Sequence, residues 1–212
     1  MTSSDRLNAG KLRAGLKGAL IGREIVVLDE TTSTNDCIWQ MAKDGLAEGA
    51  VVFAEYQTAG RGQRGNTWES AAYQGLWFSV LLRPGVEIND SEQLTSWAAR
   101  MVATTIEDEI SVETAIKPPN DVYVRDRKVA GVLVEMRAQE KAPHLAILGI
   151  GVNLNHKTDD FPDELQARAT SLAMLAGGPV DRNRFAIALL QNLDRTYREN
   201  FPGKSQGSAG ED

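Results

Sequence analysis

The chain of 212 residues has the length of one domain, and its 42% hydrophobic and 25% charged residues are those of an ordinary globular protein. The 23 basic and 29 acidic residues give a formal net charge of −6, which argues against a general nucleic-acid binder with a basic face. One cysteine excludes an internal disulfide, and one cysteine with two histidines argues against a Cys/His zinc cluster.

The first half of the chain predicts strands around one short helix. The apolar runs Ile25–Leu28, Ala50–Ala54 and Leu76–Leu82 are typical of buried strands. A helix is expected to begin at the N-cap sequence Ser33-Thr-Asn-Asp36 and to end at Gly45.

The second half predicts two longer helices and a hairpin. Apolar residues at helical spacing predict the longest helix over about 91–109. A short polar turn lies between Asp121–Val124 and Lys128–Met136, and this pattern predicts a β-hairpin. Another buried strand is predicted over Leu145–Leu154. A last amphipathic helix is marked by Phe185, Leu189, Leu193 and Tyr197. Hairpin strands mixed with separate helices indicate an α+β fold, with a mixed sheet covered by helices.

A glycine-rich loop follows the second strand. Gly60-Arg-Gly-Gln-Arg-Gly65 matches G-x-G-x-x-G, but a dinucleotide site needs a helix at the last glycine, and Asn66-Thr-Trp-Glu-Ser70 is not a helix start. Free backbone N–H groups and two forked guanidinium groups instead suit a loop that cradles a carboxylate and a phosphate. A solvated turn with incidental arginines is the simpler alternative, although a turn needs only one or two glycines.

A second polar segment is Lys117-Pro-Pro-Asn-Asp121, and Lys128 follows at the start of a strand of small apolar residues. The prolines enforce an extended entry, so a lysine and a carboxylate are presented at fixed positions. Each piece also has a structural interpretation. Pro-Asn-Asp is a common turn in which Asp121 would cap an Asx turn, and a lysine that opens a strand is usually solvated.

Five segments, in this order, carry a family resemblance: Thr32-Ser-Thr-Asn35, Glu55-Tyr-Gln-Thr-Ala-Gly-Arg-Gly-Gln-Arg-Gly65, Lys117–Asp121, Asp126–Glu135 and Gly149-Ile-Gly-Val-Asn-Leu-Asn155. Together they resemble the catalytic domain of biotin protein ligases over about residues 25–200. The resemblance implies a mixed, mostly antiparallel seven-stranded sheet covered by helices. It also implies a two-step reaction: biotin and Mg·ATP give biotinyl-5′-AMP and pyrophosphate, and a lysine of a biotin carboxyl carrier domain then displaces AMP.

The resemblance further implies which residues form the site. The biotin-binding set is Ser33, Thr34, Asn35, Gln57, Gly60, Arg61, Gly62, Gln63, Lys128 and Gly131. The nucleotide-binding set is Arg64, Trp68, Asn120, Asn153 and Asn155. The catalytic set is Arg61, Lys117, Asp121 and Lys128. The three cations would neutralise two like-charged reactants, and Asp121 would accept or orient the proton of the incoming lysine. ATP with Mg²⁺ and biotin are substrates, with no permanent cofactor and no metal site in the protein.

Three positions depart from the family pattern. The family usually has Gly-Arg-Gly-Arg-x-Gly-Arg and Lys-Trp-Pro-Asn-Asp, where this chain has Gln63, Asn66 and Pro118. A missing guanidinium at position 63 removes a charge-assisted contact worth about 1.5–3 kcal/mol. We therefore expect looser retention of biotinyl-5′-AMP, for which Arg64 is a candidate compensation. Pro118 stiffens its loop and removes aromatic cover.

The expected organisation is one catalytic domain over 1–203 and a disordered Gly/Ser-rich tail over 204–212, with no N-terminal helix-turn-helix domain and no C-terminal SH3-like barrel. We expect a cytoplasmic protein that does not bind a membrane, because neither a secretion signal nor a membrane-length apolar segment is present. We also expect a monomer or homodimer that does not bind DNA. Two alternatives stay open. One is a lipoyl or octanoyl acyl transferase on the same scaffold that uses Cys37, and the other is a non-catalytic biotinyl-adenylate binder.

Overall fold

The computed structural model describes residues 6–138 and 144–201, in which seven strands form one sheet. The strands are β1 (Ile25–Leu28), β2 (Val51–Ala54), β3 (Leu76–Leu82), β4 (Ala115–Lys117), β5 (Asp121–Val124), β6 (Arg127–Arg137) and β7 (Leu145–Val152). The helices are α1 (Ala9–Gly15), α2 (Thr34–Lys43), α3 (Ser91–Ile110), α4 (Asp163–Gln166), α5 (Leu172–Ala176) and α6 (Arg182–Asn200).

The strand order is β1-β2-β3-β7-β6-β5-β4. Only the β1–β2 pair is parallel, and the other five pairs are antiparallel. This arrangement confirms the expected mixed, mostly antiparallel seven-stranded sheet. The sequence patterns located most elements to within a residue or two, including α3, but they did not predict α1, β4, α4 or α5. The predicted tail over 204–212 lies outside the described residues.

The two faces of the sheet are packed differently because side chains alternate along each strand. On one face, Phe78 and Leu148 belong to a large buried core that includes residues of α1, α3 and α6. On the opposite face, Leu81 and Ile147 form a smaller cluster with Ile38 of α2. The functional side chains described below project from this second face, beyond the N-terminal end of α2.

A β-bulge in β6 sets the direction of one lysine. Lys128 pairs with Tyr123, whereas Ala130 pairs with the preceding residue Val122, so Val129 is an extra residue in β6. In a regular strand, residues three apart point to opposite faces. The extra residue puts Lys128 on the same face as Gly131, which pairs with Asp121. Bulges next to functional sites commonly re-aim a side chain in this way.

A buried ion pair joins the end of β2 to the start of α6. Arg182 Nη2 lies 2.6 Å from Glu55 Oε2, and both side chains are almost fully buried. The other carboxylate oxygen of Glu55 accepts the Leu7 N–H at 2.8 Å, and Arg182 Nε donates to the Gly75 carbonyl at 2.9 Å. This pair fixes the chain two residues before Gln57, where the loop to the site begins.

Candidate functional site

A cavity of about 270 Å³ opens on the second face of the sheet. Its walls come from the N-terminus of α2, the glycine-rich loop, the segment before β5, and strands β5, β6 and β7. The predicted residues that line it are Ser33, Thr34, Asn35, Gln57, Arg61, Gly62, Gln63, Arg64, Trp68, Lys117, Asn120, Asp121, Lys128 and Gly131. The fold therefore brings together side chains that are nearly 100 positions apart in the chain.

Three strand glycines form the floor of this cavity. A Cβ atom at Gly131 would lie 2.7 Å from the Trp68 ring, and one at Gly151 would lie 2.6 Å from it. A Cβ atom at Gly149 would collide with the side-chain oxygen of Asn35. The hollow and the positions of Trp68 and Asn35 thus require residues without side chains on β6 and β7.

Lys128 and Asp121 form an ion pair on this floor. Lys128 Nζ lies 2.7 Å from Asp121 Oδ1, and the two side chains are 30% and 24% exposed. The ammonium also lies 5.2 Å from the centre of the Trp68 ring, within the range of a cation–π interaction. Asp121 therefore holds the lysine in position, a role that the sequence did not suggest.

Arg61 also lines the cavity, but its charge is compensated. Its Nη2 atom donates to Asp36 Oδ1 and to Glu135 Oε2, both at 2.8 Å. Neither carboxylate was in the predicted site. The role of Arg61 in neutralising the reactants stays a prediction, and these two carboxylates offset part of its charge in the ligand-free chain.

The end of the cavity near α2 is a buried network of hydroxyl and amide groups. Ser79 Oγ lies 2.7 Å from Thr34 Oγ1 and 2.5 Å from Asn35 Oδ1. Gln57 Oε1 accepts the Thr34 N–H at 2.9 Å, and Gln57 Nε2 donates to Ser70 Oγ at 3.2 Å. Such a rigid set of neutral donors and acceptors can recognise a polar, uncharged ligand group.

Tyr123, which the sequence analysis did not select, is surrounded by charged groups. Lys117 Nζ lies 3.8 Å from the centre of its ring, a close cation–π contact. Burial raises the pKa of Tyr123, as does the Asp121 carboxylate, whereas Arg168 lowers it. Together with Lys128, these residues place three basic side chains around one tyrosine at the rim of the cavity.

A second cavity of about 140 Å³ adjoins the first and shares Thr67, Trp68, Tyr123 and Lys128 with it. Its remaining walls are Glu69, Asn153, Phe161, Leu165, Arg168 and Ala169. The backbone of Lys128 anchors this wall: its N–H donates to the Arg168 carbonyl at 2.8 Å, and its carbonyl accepts the Thr170 N–H at 2.9 Å. Residues 157–170 lack periodicity, so the sequence analysis missed this contribution.

Three predicted residues lie outside the first cavity. Asn153 lines the second cavity. Gly60 lines another cavity, of about 470 Å³, beside Arg61, and its lack of a side chain is required because a Cβ atom would lie 2.5 Å from the Trp68 carbonyl oxygen. Asn155 exchanges two hydrogen bonds, at 3.0 and 2.8 Å, with the backbone of Val180. Its amide thus ties the segment after β7 to the segment before α6, and its nucleotide contact stays a prediction.

Cys37, the nucleophile that an acyl transferase would need, does not line these cavities. It lies half-buried in α2 and packs against the apolar cluster under that helix. Burial raises the pKa of its thiol, which disfavours the reactive thiolate.

Within residues 6–138 and 144–201, no group of three or more His, Cys, Asp or Glu side chains is placed to hold a metal ion. In the same part of the chain, no helix has the length and apolar character needed to cross a membrane.

Known proteins match this chain in sequence and in fold. Residues 27–153 match the Biotin/lipoate A/B protein ligase family, and this chain belongs to it. The chain is 34% identical over 208 residues to the biotin–[acetyl-CoA-carboxylase] ligase of Mycobacterium tuberculosis, covering 92% of this chain and 73% of that protein.

Two further relatives extend the comparison. The bifunctional ligase/repressor BirA of Bacillus subtilis is 37% identical over 194 residues, which are 92% of this chain but 60% of that protein. The chain thus spans well under two thirds of the length of that relative. The solved biotin protein ligase from Aquifex aeolicus in complex with biotin and ATP has a TM-score of 0.70 and 30% identity, covering 84% of this chain and 71% of that one.

His156 supports the wall of the second cavity from behind. Its buried ring stacks on Phe161, with ring centres 4.9 Å apart, and meets the edge of Trp77 at 5.6 Å. Burial lowers the pKa of His156 from 6.5 to about 4, with Asp160 raising it and Arg182 lowering it.

The depressed pKa predicts a pH-dependent stability. As the pH falls below 6.5, the unfolded chain binds a proton at His156 before the folded chain does, so stability decreases until about pH 4. Between pH 7 and pH 5, we expect the wild type to lose about 2 kcal/mol more than His156→Phe. Urea unfolding of both proteins at each pH measures this difference, and parallel stability curves would contradict it.

Proposed function

We propose that this chain is a biotin protein ligase, which activates biotin with Mg·ATP and transfers it to a lysine of a biotin carboxyl carrier domain. The observation that carries the proposal is the place of Lys128. Its ammonium stands on the glycine floor where the two cavities meet, held by Asp121. A carboxylate from one cavity and a phosphate from the other would meet at this charge.

The two cavities suit the two ends of the product of the first step. The buried hydroxyl and amide groups of Ser33, Thr34 and Asn35 fit the neutral ureido group of biotin. The second cavity, with Phe161 and Leu165 in its wall, fits the nucleoside. Trp68, which borders both cavities, would cover the link between them.

In the first step, a biotin carboxylate oxygen attacks the α-phosphorus of ATP, and pyrophosphate leaves with Mg²⁺. The reactants repel each other in water, so a site that brings them together must supply positive charge. Lys128 does so at the new bond. Lys117 and Arg168, which lie near Tyr123, would offset the negative charge of the departing pyrophosphate.

In the second step, the amine of the acceptor lysine attacks the carbonyl carbon and AMP leaves. The amine must lose a proton, and the Asp121 carboxylate is the nearest acidic group to Lys128 at the meeting point of the cavities. Asp121 would therefore hold Lys128 in the first step and orient the incoming amine in the second. The carrier domain as partner, a cytoplasmic location, a monomer or homodimer, and the absence of DNA binding remain predictions.

The geometry of the site gives little support to the two alternative functions, an acyl transferase and a non-catalytic binder. An acyl transferase would need a reactive thiol at the site, and Cys37 is packed under α2 instead. A non-catalytic binder would rest on Gln63 and Pro118, yet the lysines and Asp121 expected of a working ligase all line the cavity.

Biotin-dependent exchange of labelled pyrophosphate into ATP tests the proposal. The wild type should exchange label with biotin and not with octanoate or lipoate. Lys128→Met should lower the exchange rate by a factor of about 100–1000, because removing one charged donor at a developing anion has effects of this size. Lys17→Met, at an exposed lysine far from the cavity in sequence, is the matched control. Absence of biotin-dependent exchange would refute the ligase activity.

Gln63 lines the first cavity, so its departure from the family pattern can be tested directly. Gln63→Arg restores a charge-assisted contact to the adenylate, and we expect biotinyl-5′-AMP to dissociate about ten to a hundred times more slowly. Gln63→Ala, which adds no charge, should not slow release. Rapid-dilution chase of the preloaded protein measures the rate, and an unchanged rate in Gln63→Arg would show that this position does not govern retention.

A further inference from the structure

The Arg61 guanidinium joins three separate parts of the chain at one nitrogen. Arg61 belongs to the glycine-rich loop, Asp36 to the first turn of α2, and Glu135 to β6. Both carboxylates accept from the same Nη2 atom at 2.8 Å. The three side chains carry a combined formal charge of −1, so this cluster does not attract an anionic ligand.

The cluster is also connected to the buried network near α2. Glu135 Oε2, which accepts from Arg61, also accepts from Asn35 Nδ2 at 2.7 Å. Asn35 Oδ1 in turn accepts from the buried Ser79 Oγ of β3. Of the three charged side chains, Glu135 is the most buried, with 23% of its side chain exposed, so it is the fixed end of the contact.

The loop beyond Arg61 folds back on itself. Gly62 N–H donates to the Asn66 carbonyl at 2.7 Å, and Trp68 N–H donates to the Gly60 carbonyl at 2.9 Å. These bonds make the loop a unit that includes Gln63 and Arg64 in the cavity wall. Holding Arg61 therefore holds the whole loop against the cavity.

We propose that Asp36 and Glu135 are positioning residues that latch the glycine-rich loop closed through Arg61, and that this latch sets how long the acyl-adenylate is retained. The inference rests on the proposed function. A loop that must open before an intermediate can leave controls the rate of release. Asp36 and Glu135 do not line the first cavity, so their loss should affect release more than the chemical step at Lys128.

The single variants Glu135→Gln, Asp36→Asn and Arg61→Gln test the release of biotinyl-5′-AMP separately from its formation. Each variant should release preformed biotinyl-5′-AMP about ten times faster than the wild type. The maximal rate of pyrophosphate exchange at saturating biotin and ATP should stay within about threefold in Glu135→Gln and Asp36→Asn. Asp29→Asn, which breaks an exposed Arg–Asp pair with Arg6 of similar length (3.0 Å), is the matched control and should alter neither rate.

The double variant Arg61→Gln/Glu135→Gln decides whether the residues act together. A latch predicts that the double variant releases the adenylate at the rate of Arg61→Gln alone, because loss of the guanidinium already breaks both carboxylate contacts. Two results would overturn the proposal. One is multiplication of the single effects in the double variant. The other is release of the adenylate from Glu135→Gln and Asp36→Asn at the wild-type rate, which would show that these carboxylates do not hold the loop.

A measurement on the ligand-free chain keeps this test independent of the ligase activity. Trypsin cleaves after the exposed Arg64 faster when the loop unfolds locally, so Glu135→Gln and Asp36→Asn should be cleaved there several times faster than the wild type and Asp29→Asn. Equal cleavage rates would refute the latch even if the chain is a ligase. Faster cleavage without biotin-dependent exchange would support the latch and refute the proposed function.

Discussion

The missing side chains on two adjacent strands are the constraint on which the rest of the site depends. Gly131, Gly149 and Gly151 leave a bare patch of backbone in the middle of the second face of the sheet. Trp68 and Asn35 then approach the main chain more closely than any Cβ atom would allow. Packed strands normally fill such a face with side chains, and here the unfilled space becomes the cavity.

The charge at the centre of this cavity depends on local strand geometry. Lys128 points onto the glycine floor only because Val129 is an extra residue in β6, and Asp121 on the neighbouring strand holds its ammonium. The buried pair of Glu55 and Arg182 fixes the chain that leads to the opposite wall. Breaking a buried ion pair leaves an uncompensated charge, which is strongly unfavourable, so this wall is firmly anchored.

Much of the fold and the membership of the site followed from the sequence. Runs of apolar residues and the helical spacing of Leu94, Trp97 and Val102 located the main strands and α3, because burial on a regular element leaves a periodic pattern. The resemblance of the polar motifs to those of biotin protein ligases implied most of the predicted residues that line the cavity. Segments without periodicity, such as the one that contains Phe161 and Leu165, leave no such pattern.

The partners of the charged side chains could not be predicted. The sequence placed Arg61 correctly in the cavity wall but could not show that Asp36, 25 positions earlier, and Glu135, 74 positions later, would hold it. The cation–π contact of Lys117 with Tyr123 joins the paired strands β4 and β5, and β4 was not predicted. Asn155 was predicted to contact the nucleotide, and the sequence could not show that both polar atoms of its amide bond the backbone of Val180.

The central claim is that the two cavities form one site for an acyl-adenylate, with Lys128 at the junction. A crystal structure of this chain bound to a non-hydrolysable biotinyl-adenylate analogue tests it most directly. The account predicts the linking group within hydrogen-bonding distance of Lys128 Nζ, the ureido ring against Thr34 and Asn35, and the base beside Phe161. A ligand bound with its linking group away from Lys128, or with its base outside the second cavity, would contradict it.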